Sequence, residues 1–141
     1  MEKRVVLVSH DGLAKGVLGA ATMICGKIEG LSSFGLEPDG SVVELGEKVR
    51  KLALDVAPEQ VIVIADLLGG SVCNQCLQAL SDVPNATVLA GMSLPLVLSI
   101  VSRDGALSVS DIDEAIAEAT YVTKRVSLEA APEEAEEDFF A

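Results

Sequence analysis

The sequence predicts an α/β domain on an open, doubly wound, mostly parallel sheet, and three observations carry that prediction. Short apolar runs rich in β-branched residues alternate with segments whose apolar residues recur at helical spacing, the pattern of strands joined by right-handed crossovers. Half of the residues are hydrophobic but only 3% are aromatic, which calls for a core of Val, Leu, Ile and Ala in layers rather than an aromatic-rich β-sandwich. A chain of 141 residues is also long enough to bury roughly 70% of its unfolded surface as one domain.

The elements follow in order. Arg4 to Ser9 (Arg-Val-Val-Leu-Val-Ser) is a β-branched run of the kind a buried parallel strand shows. A first helix follows with Ala14, Val17, Leu18, Ala21, Ile24 and Cys25 as its apolar stripe, stopped by Gly26 and Gly30. Leu31 to Leu36 is a weaker strand, and Pro38-Asp39-Gly40 is a turn. Val42, Leu45, Val49, Leu52, Ala53 and Val56 mark a second helix that Pro58 closes. Gln60 to Ala65 is apolar on both faces and belongs in the sheet's centre.

Asp66-Leu67-Leu68-Gly69-Gly70-Ser71 bends into a third helix with Cys73, Cys76, Leu77 and Leu80 inward and Pro84 beyond its end. Ala86 to Ala90 is a fourth strand. Gly91-Met92-Ser93 turns into a helix from about Leu94 to Ser102 with Pro95 in its first turn, and Ser110 is the expected cap of a last helix carrying Ile112, Ala115, Ile116 and Ala119. Tyr121 to Leu128 reads as a final strand whose Lys124-Arg125 suits an edge or an interface. These elements give a domain over 1–128, followed by an acidic tail over 129–141 that is expected to be disordered.

The formal net charge is −12, of which the tail's six acids supply half. Both nucleic acid and an anionic membrane surface would be repelled at long range. No apolar run reaches the roughly 20 residues that span a bilayer, and the first strand begins directly after Glu2-Lys3-Arg4, so the protein is expected to be cytoplasmic and unexported. Three cysteines do not make a disulfide framework, as a reducing cytosol requires.

In such sheets ligands sit beyond the carboxyl ends of the strands. The single histidine, His10, falls there after the first strand, and an imidazole titrating near pH 6.5 offers a neutral, nucleophilic fraction at neutral pH. A surface loop histidine without a role is the competing reading. Asp66 holds the matching place after the third strand, which neighbours the first in a flavodoxin-like order 2-1-3-4. A carboxylate there can fix the ring's tautomer and stabilise the imidazolium, or it can simply cap the following helix. Gly69, Gly70 and Ser71 let backbone approach a ligand and open a helix whose free N–H groups suit a phosphoryl group, although Gly-Gly-Ser by itself is also an ordinary turn. No Gly-Lys-Ser or Gly-Lys-Thr follows, so this is not a nucleotide-binding loop.

Cys73-Asn74-Gln75-Cys76 is a Cys-x-x-Cys that can mark thiol–disulfide exchange, or two small core residues on an inward stripe. No metal or other cofactor is expected, since only Cys25 and His10 would remain as further nitrogen or sulfur ligands.

Three segments together resemble the enzyme IIA components of the mannose-family sugar phosphotransferase systems: Val-Leu-Val-Ser-His10 with Gly12, Leu13 and Ala14; Ile64 to Ser71 with Asn74; and Ala90 to Pro95. The resemblance implies a phosphoryl carrier that accepts phosphate on His10 from the phosphocarrier protein HPr and passes it to a histidine of a separate enzyme IIB. It implies that Asp66 orients His10, that Ser71 and nearby N–H groups hold the phosphoryl oxygens, and that two chains pair by exchanging the last strand. Three positions depart from the family pattern: Asp11 lies between His10 and the glycine that usually follows it, Val72 replaces proline, and Ser93 stands where asparagine is usual. A similar fold occurs in the phosphotransferase subunit of dihydroxyacetone kinase, and a regulatory module that has lost the transfer is a third possibility.

Overall fold

The computed structural model describes residues 3–129. Four strands, β1 (Lys3–His10), β2 (Leu31–Leu36), β3 (Gln60–Ala65) and β4 (Ala86–Ala90), form one sheet in the order β2-β1-β3-β4, with every pairing parallel. The helices α1 (Leu13–Cys25), α2 (Val42–Val56), α3 (Ser71–Ala79), α4 (Leu94–Val101) and α5 (Val109–Tyr121) complete the βα alternation. Among the described residues no helix is long and apolar enough to cross a membrane.

Side chains alternate across a strand, so the two central strands divide their residues between two cores. Val5, Leu7, Ile62 and Ile64 face Ala14 and Ala21 of α1 together with α4 and α5. Val6, Val8, Val61, Val63 and Ala65 face Leu45, Val49 and Ala53 of α2 and Val72, Cys73 and Cys76 of α3. This two-sided burial explains why β1 and β3 read as continuous apolar runs.

The helix ends follow local chemistry. Ser41 caps α2 through its side chain, which accepts from the Glu44 N–H at 3.2 Å. Ser93 caps α4 by accepting from the Leu96 N–H at 3.2 Å, so at this departure from the family pattern serine supplies a cap as asparagine can.

Four expectations need correction. The cap of α5 is Ser108, not Ser110: Ser108 and Asp111 form a reciprocal capping box, each side chain accepting the other's backbone N–H at 3.0 Å. In α3, Leu77 is 49% exposed while Val72 is fully buried, because the inward face runs through residues 72, 73, 76 and 80. On α1 the last turn leaves the sheet, and both Ile24 and Cys25 are exposed. Finally, Tyr121 to Leu128 is not a strand within this chain: Tyr121 closes α5, and the residues after it carry neither strand nor helix. A strand requires a neighbour for its N–H and C=O groups, and among the described residues none lies beside this segment. The expected acidic tail, apart from Glu129, lies outside the described residues.

Candidate functional site

Parallel pairing brings the ends of β1 and β3 together, with Val8 opposite Ala65, so His10 and Asp66 leave the sheet side by side. The Asp66 N–H donates to the Val8 carbonyl at 3.1 Å, which extends the ladder by one residue. One carboxylate oxygen, Asp66 Oδ2, accepts both the His10 backbone N–H at 2.9 Å and the ring Nδ1 at 2.8 Å. A carboxylate only accepts, so the proton sits on Nδ1 and the lone pair of Nε2 points away from the pair.

The exposures of the two groups differ in a useful sense. The His10 side chain is 48% exposed, whereas that of Asp66 is only 9% exposed. Burial alone would raise the Asp66 pKa, but the hydrogen bonds from the His10 backbone and ring, and the ring's charge when protonated, outweigh it and hold the carboxyl below its ordinary value. Asp66 is therefore an anion at neutral pH, aimed at a half-open imidazole. Its other oxygen, Oδ1, is buried without a hydrogen-bond partner among the described residues.

Ser71 stands on the other side of the ring, its Oγ 3.4 Å from Nε2. It is the first residue of α3, and Gly70 is the N-cap with no side chain to satisfy the free N–H groups of the first turn. Gly69 has φ +80, the left-handed turn that brings the helix start beneath the histidine. Asn74 holds that turn by donating to the Gly69 carbonyl at 3.2 Å. The five residues singled out from sequence, His10, Asp66, Gly69, Gly70 and Ser71, thus meet at the carboxyl end of the sheet.

Two supporting residues were not evident from sequence. Ser9 is fully buried and its Oγ accepts the Ala14 N–H at 2.7 Å, which ties the histidine loop to the first turn of α1. Gly35 is where the loop passes closest to β2: a Cβ there would lie 2.2 Å from the Asp11 carbonyl oxygen. A glycine inside a predicted strand is itself a signal of close backbone approach.

The cysteine pair has a different character. Cys73 and Cys76 are free and buried in the core beneath α3. Burial, with a smaller contribution from Cys73, pushes the Cys76 thiol up to about 11, so it is neither a thiolate nor accessible. Among the described residues no group of three or more His, Cys, Asp or Glu could hold a metal ion.

Residues 4–119 match the sequence model of the mannose-type EIIA family, described as the PTS system fructose IIA component. The chain belongs to this family. Among curated relatives, this IIA component is 27% identical over 107 residues to the sorbose-specific EIIA component of Klebsiella pneumoniae, covering 76% of this chain and 78% of that one. It is 26% identical over 108 residues to the sorbose-specific EIIA component of Lacticaseibacillus casei, covering 77% and 78%. Its fold recurs in solved structures. The PTS IIA protein associated with the fucose utilization operon of Streptococcus pneumoniae superposes with a TM-score of 0.78 at 23% identity, covering 89% of this chain and 93% of that one. The mannose/sorbose-specific IIA subunit of Enterococcus faecalis gives 0.77 at 22% identity, covering 93% and 99%.

Proposed function

We propose that this IIA component carries a phosphoryl group on Nε2 of His10, taking it from HPr and delivering it to a histidine of a separate enzyme IIB, with both steps in the cytoplasm. The observation that carries the assignment of the site is the bond from His10 Nδ1 to Asp66 Oδ2 at 2.8 Å, which leaves the Nε2 lone pair, with Ser71 Oγ 3.4 Å away, as the nucleophile of a half-exposed ring.

The neutral ring attacks phosphorus through the Nε2 lone pair. The bond between phosphorus and the HPr donor atom breaks, and that atom keeps its electron pair. His10 retains the Nδ1 proton, so the phosphorylated ring is cationic, and the buried Asp66 carboxylate balances that charge. Ser71 and the free N–H groups at the start of α3 receive the phosphoryl oxygens. Attack by the IIB histidine runs the same steps in reverse, and no external base is needed. Gly69 and Gly70 serve by keeping side chains out of the cradle.

We infer further that two copies associate by exchanging residues 121–128. β4 is an edge of the sheet, and a cavity of about 400 Å³ beside its carboxyl end is lined by Ala90, Gly91, Ser93, Leu96, Ile116 and Thr120 among others. Tyr121, Val126 and Leu128 are exposed in the single chain. Light scattering is expected to return a dimer; a monomer removes this part of the reading.

Incubation with phosphoenolpyruvate, enzyme I and HPr, followed by intact mass, tests the carrier function. One acid-labile phosphoryl group is expected on the wild type and none on His10→Ala. An unmodified wild type beside a competent HPr overturns the reading.

A further inference from the structure

Asp11 is the one residue other than glycine that has a positive φ, +47, among the described residues. Such a conformation persists when its surroundings over-determine it, and here they do. The Asp11 N–H donates to the Leu36 carbonyl at 2.7 Å, and its own carbonyl fills the space that the missing Cβ of Gly35 leaves open. All of these contacts are made by the backbone, which glycine would provide without strain. The carboxylate itself is exposed and forms no ion pair or hydrogen bond among the described residues. No ion pair or hydrogen bond of the described fold uses this side chain, which stands next to His10 in the sequence and just before the N-cap of α1.

Adjacent Cα atoms lie 3.8 Å apart, so in any rotamer the Asp11 carboxylate stays within roughly 12 Å of His10 Nε2. Asp66 holds the other side of this loop through His10; Glu37 follows the Leu36 carbonyl that holds Asp11 and Lys15 lies in the first turn of α1, and neither is ion-paired with Asp11. Unlike Asp66, Asp11 makes no bond to the imidazole that would offset its repulsion of a phosphoryl dianion.

We propose that Asp11 sets the transfer potential of this carrier: its exposed charge disfavours the phosphorylated form of His10 relative to the free form and so makes phospho-His10 a stronger donor to the next histidine. This rests on the carrier reading above. In the step concerned the phosphorus–Nε2 bond breaks, Nε2 keeps the electron pair, and the acceptor ring nitrogen forms the new bond with its own lone pair. Asp11 takes no part in bond making; it raises the energy of the state before the step.

The test is an exchange at equilibrium. Wild type labelled from phosphoenolpyruvate is mixed with unlabelled Asp11→Asn and a catalytic amount of HPr, one of the two proteins bearing a size tag, and the label on each is read after denaturing electrophoresis. Asparagine adopts the left-handed region as readily as aspartate, so the variant removes charge and keeps the backbone. At about 10 mM ionic strength the label is expected to favour the variant by about 3- to 10-fold, with the ratio approaching one at 1 M salt. An even ratio at low salt, a preference for the wild type, or a ratio unmoved by salt overturns the proposal. Failure of the wild type to take any label is a separate result that overturns the carrier reading and this proposal with it. Asp11→Gly should match Asp11→Asn in this assay; a shift in the glycine variant alone would assign the effect to the backbone and likewise overturn the proposal.

Discussion

Two residue pairs flank the start of α3, and they teach what a transfer site requires. His10 ends β1 and Asp66 follows β3, 56 positions apart, and they join through a 2.8 Å bond with one partner half exposed and the other buried. Cys73 and Cys76 lie one helical turn apart, and both are buried. In the first pair burial protects the orienting anion while exposure leaves the nucleophile open to a partner protein. In the second, burial of both groups closes the approach, and it pushes the Cys76 thiol up to about 11.

The sharpest way to break this contrast is substitution. His10→Ala should abolish phosphoryl uptake, while Cys73→Ala and Cys76→Ala should retain it; loss of uptake in a folded cysteine variant would erase the distinction. Asp66→Asn comes next. It keeps the shape but replaces the anion, and rapid-quench loading by phospho-HPr should slow by roughly 10- to 100-fold, the usual scale for a partner that orients a functional histidine. An unchanged rate would make Asp66 a structural residue only.

The histidine loop rests on a glycine, and Gly35→Ala measures how firmly. A Cβ 2.2 Å from the Asp11 carbonyl forces the backbone apart, and denaturant unfolding should show a loss of about 1–3 kcal/mol, as overpacking typically costs. The cysteine side of the contrast can be read by thiol labelling of the native protein. Cys25 should react promptly and the other two only on unfolding, since Cys25 alone is exposed; rapid labelling of all three would contradict the burial described above.

The smallest effect is on acid stability. Because the folded-state pKa of Asp66 lies below its ordinary value of 3.8, its contribution to stability is fully present above that value and is lost as pH falls through the lower, folded-state one. Stability of the wild type should decline in that acidic window more steeply than that of Asp66→Asn, as denaturant unfolding at stepped pH would show; equal slopes there would contradict the lowered pKa.

The parts of the molecule that were legible in the sequence are those decided by local pattern. β1 and β3 announced themselves as β-branched runs, and placing His10 and Asp66 directly after them was enough to bring the two together once the strand order was assigned. What escaped depends on tertiary geometry or on a choice between equivalent local signals. Ser108 and Ser110 are both able to cap, and the reciprocal bond with Asp111 decides between them. Leu77 looked inward by hydropathy, yet the buried face of α3 takes in Val72 and leaves Leu77 out. The roles of Ser9 and Gly35 exist only where β1, β2 and α1 converge. Tyr121 to Leu128 has the alternation of a strand, but alternation does not supply the neighbouring strand that its backbone needs.

The central claim is that Asp66 holds the Nδ1 proton and leaves Nε2 to accept phosphate. Nitrogen and phosphorus NMR of the phosphorylated protein, with ¹⁵N in the single histidine, reports the modified nitrogen directly. The bond geometry predicts phosphorus coupled to Nε2 with a proton retained on Nδ1; phosphorus on Nδ1 would mean that the His10–Asp66 bond is broken in the working carrier and would contradict the account.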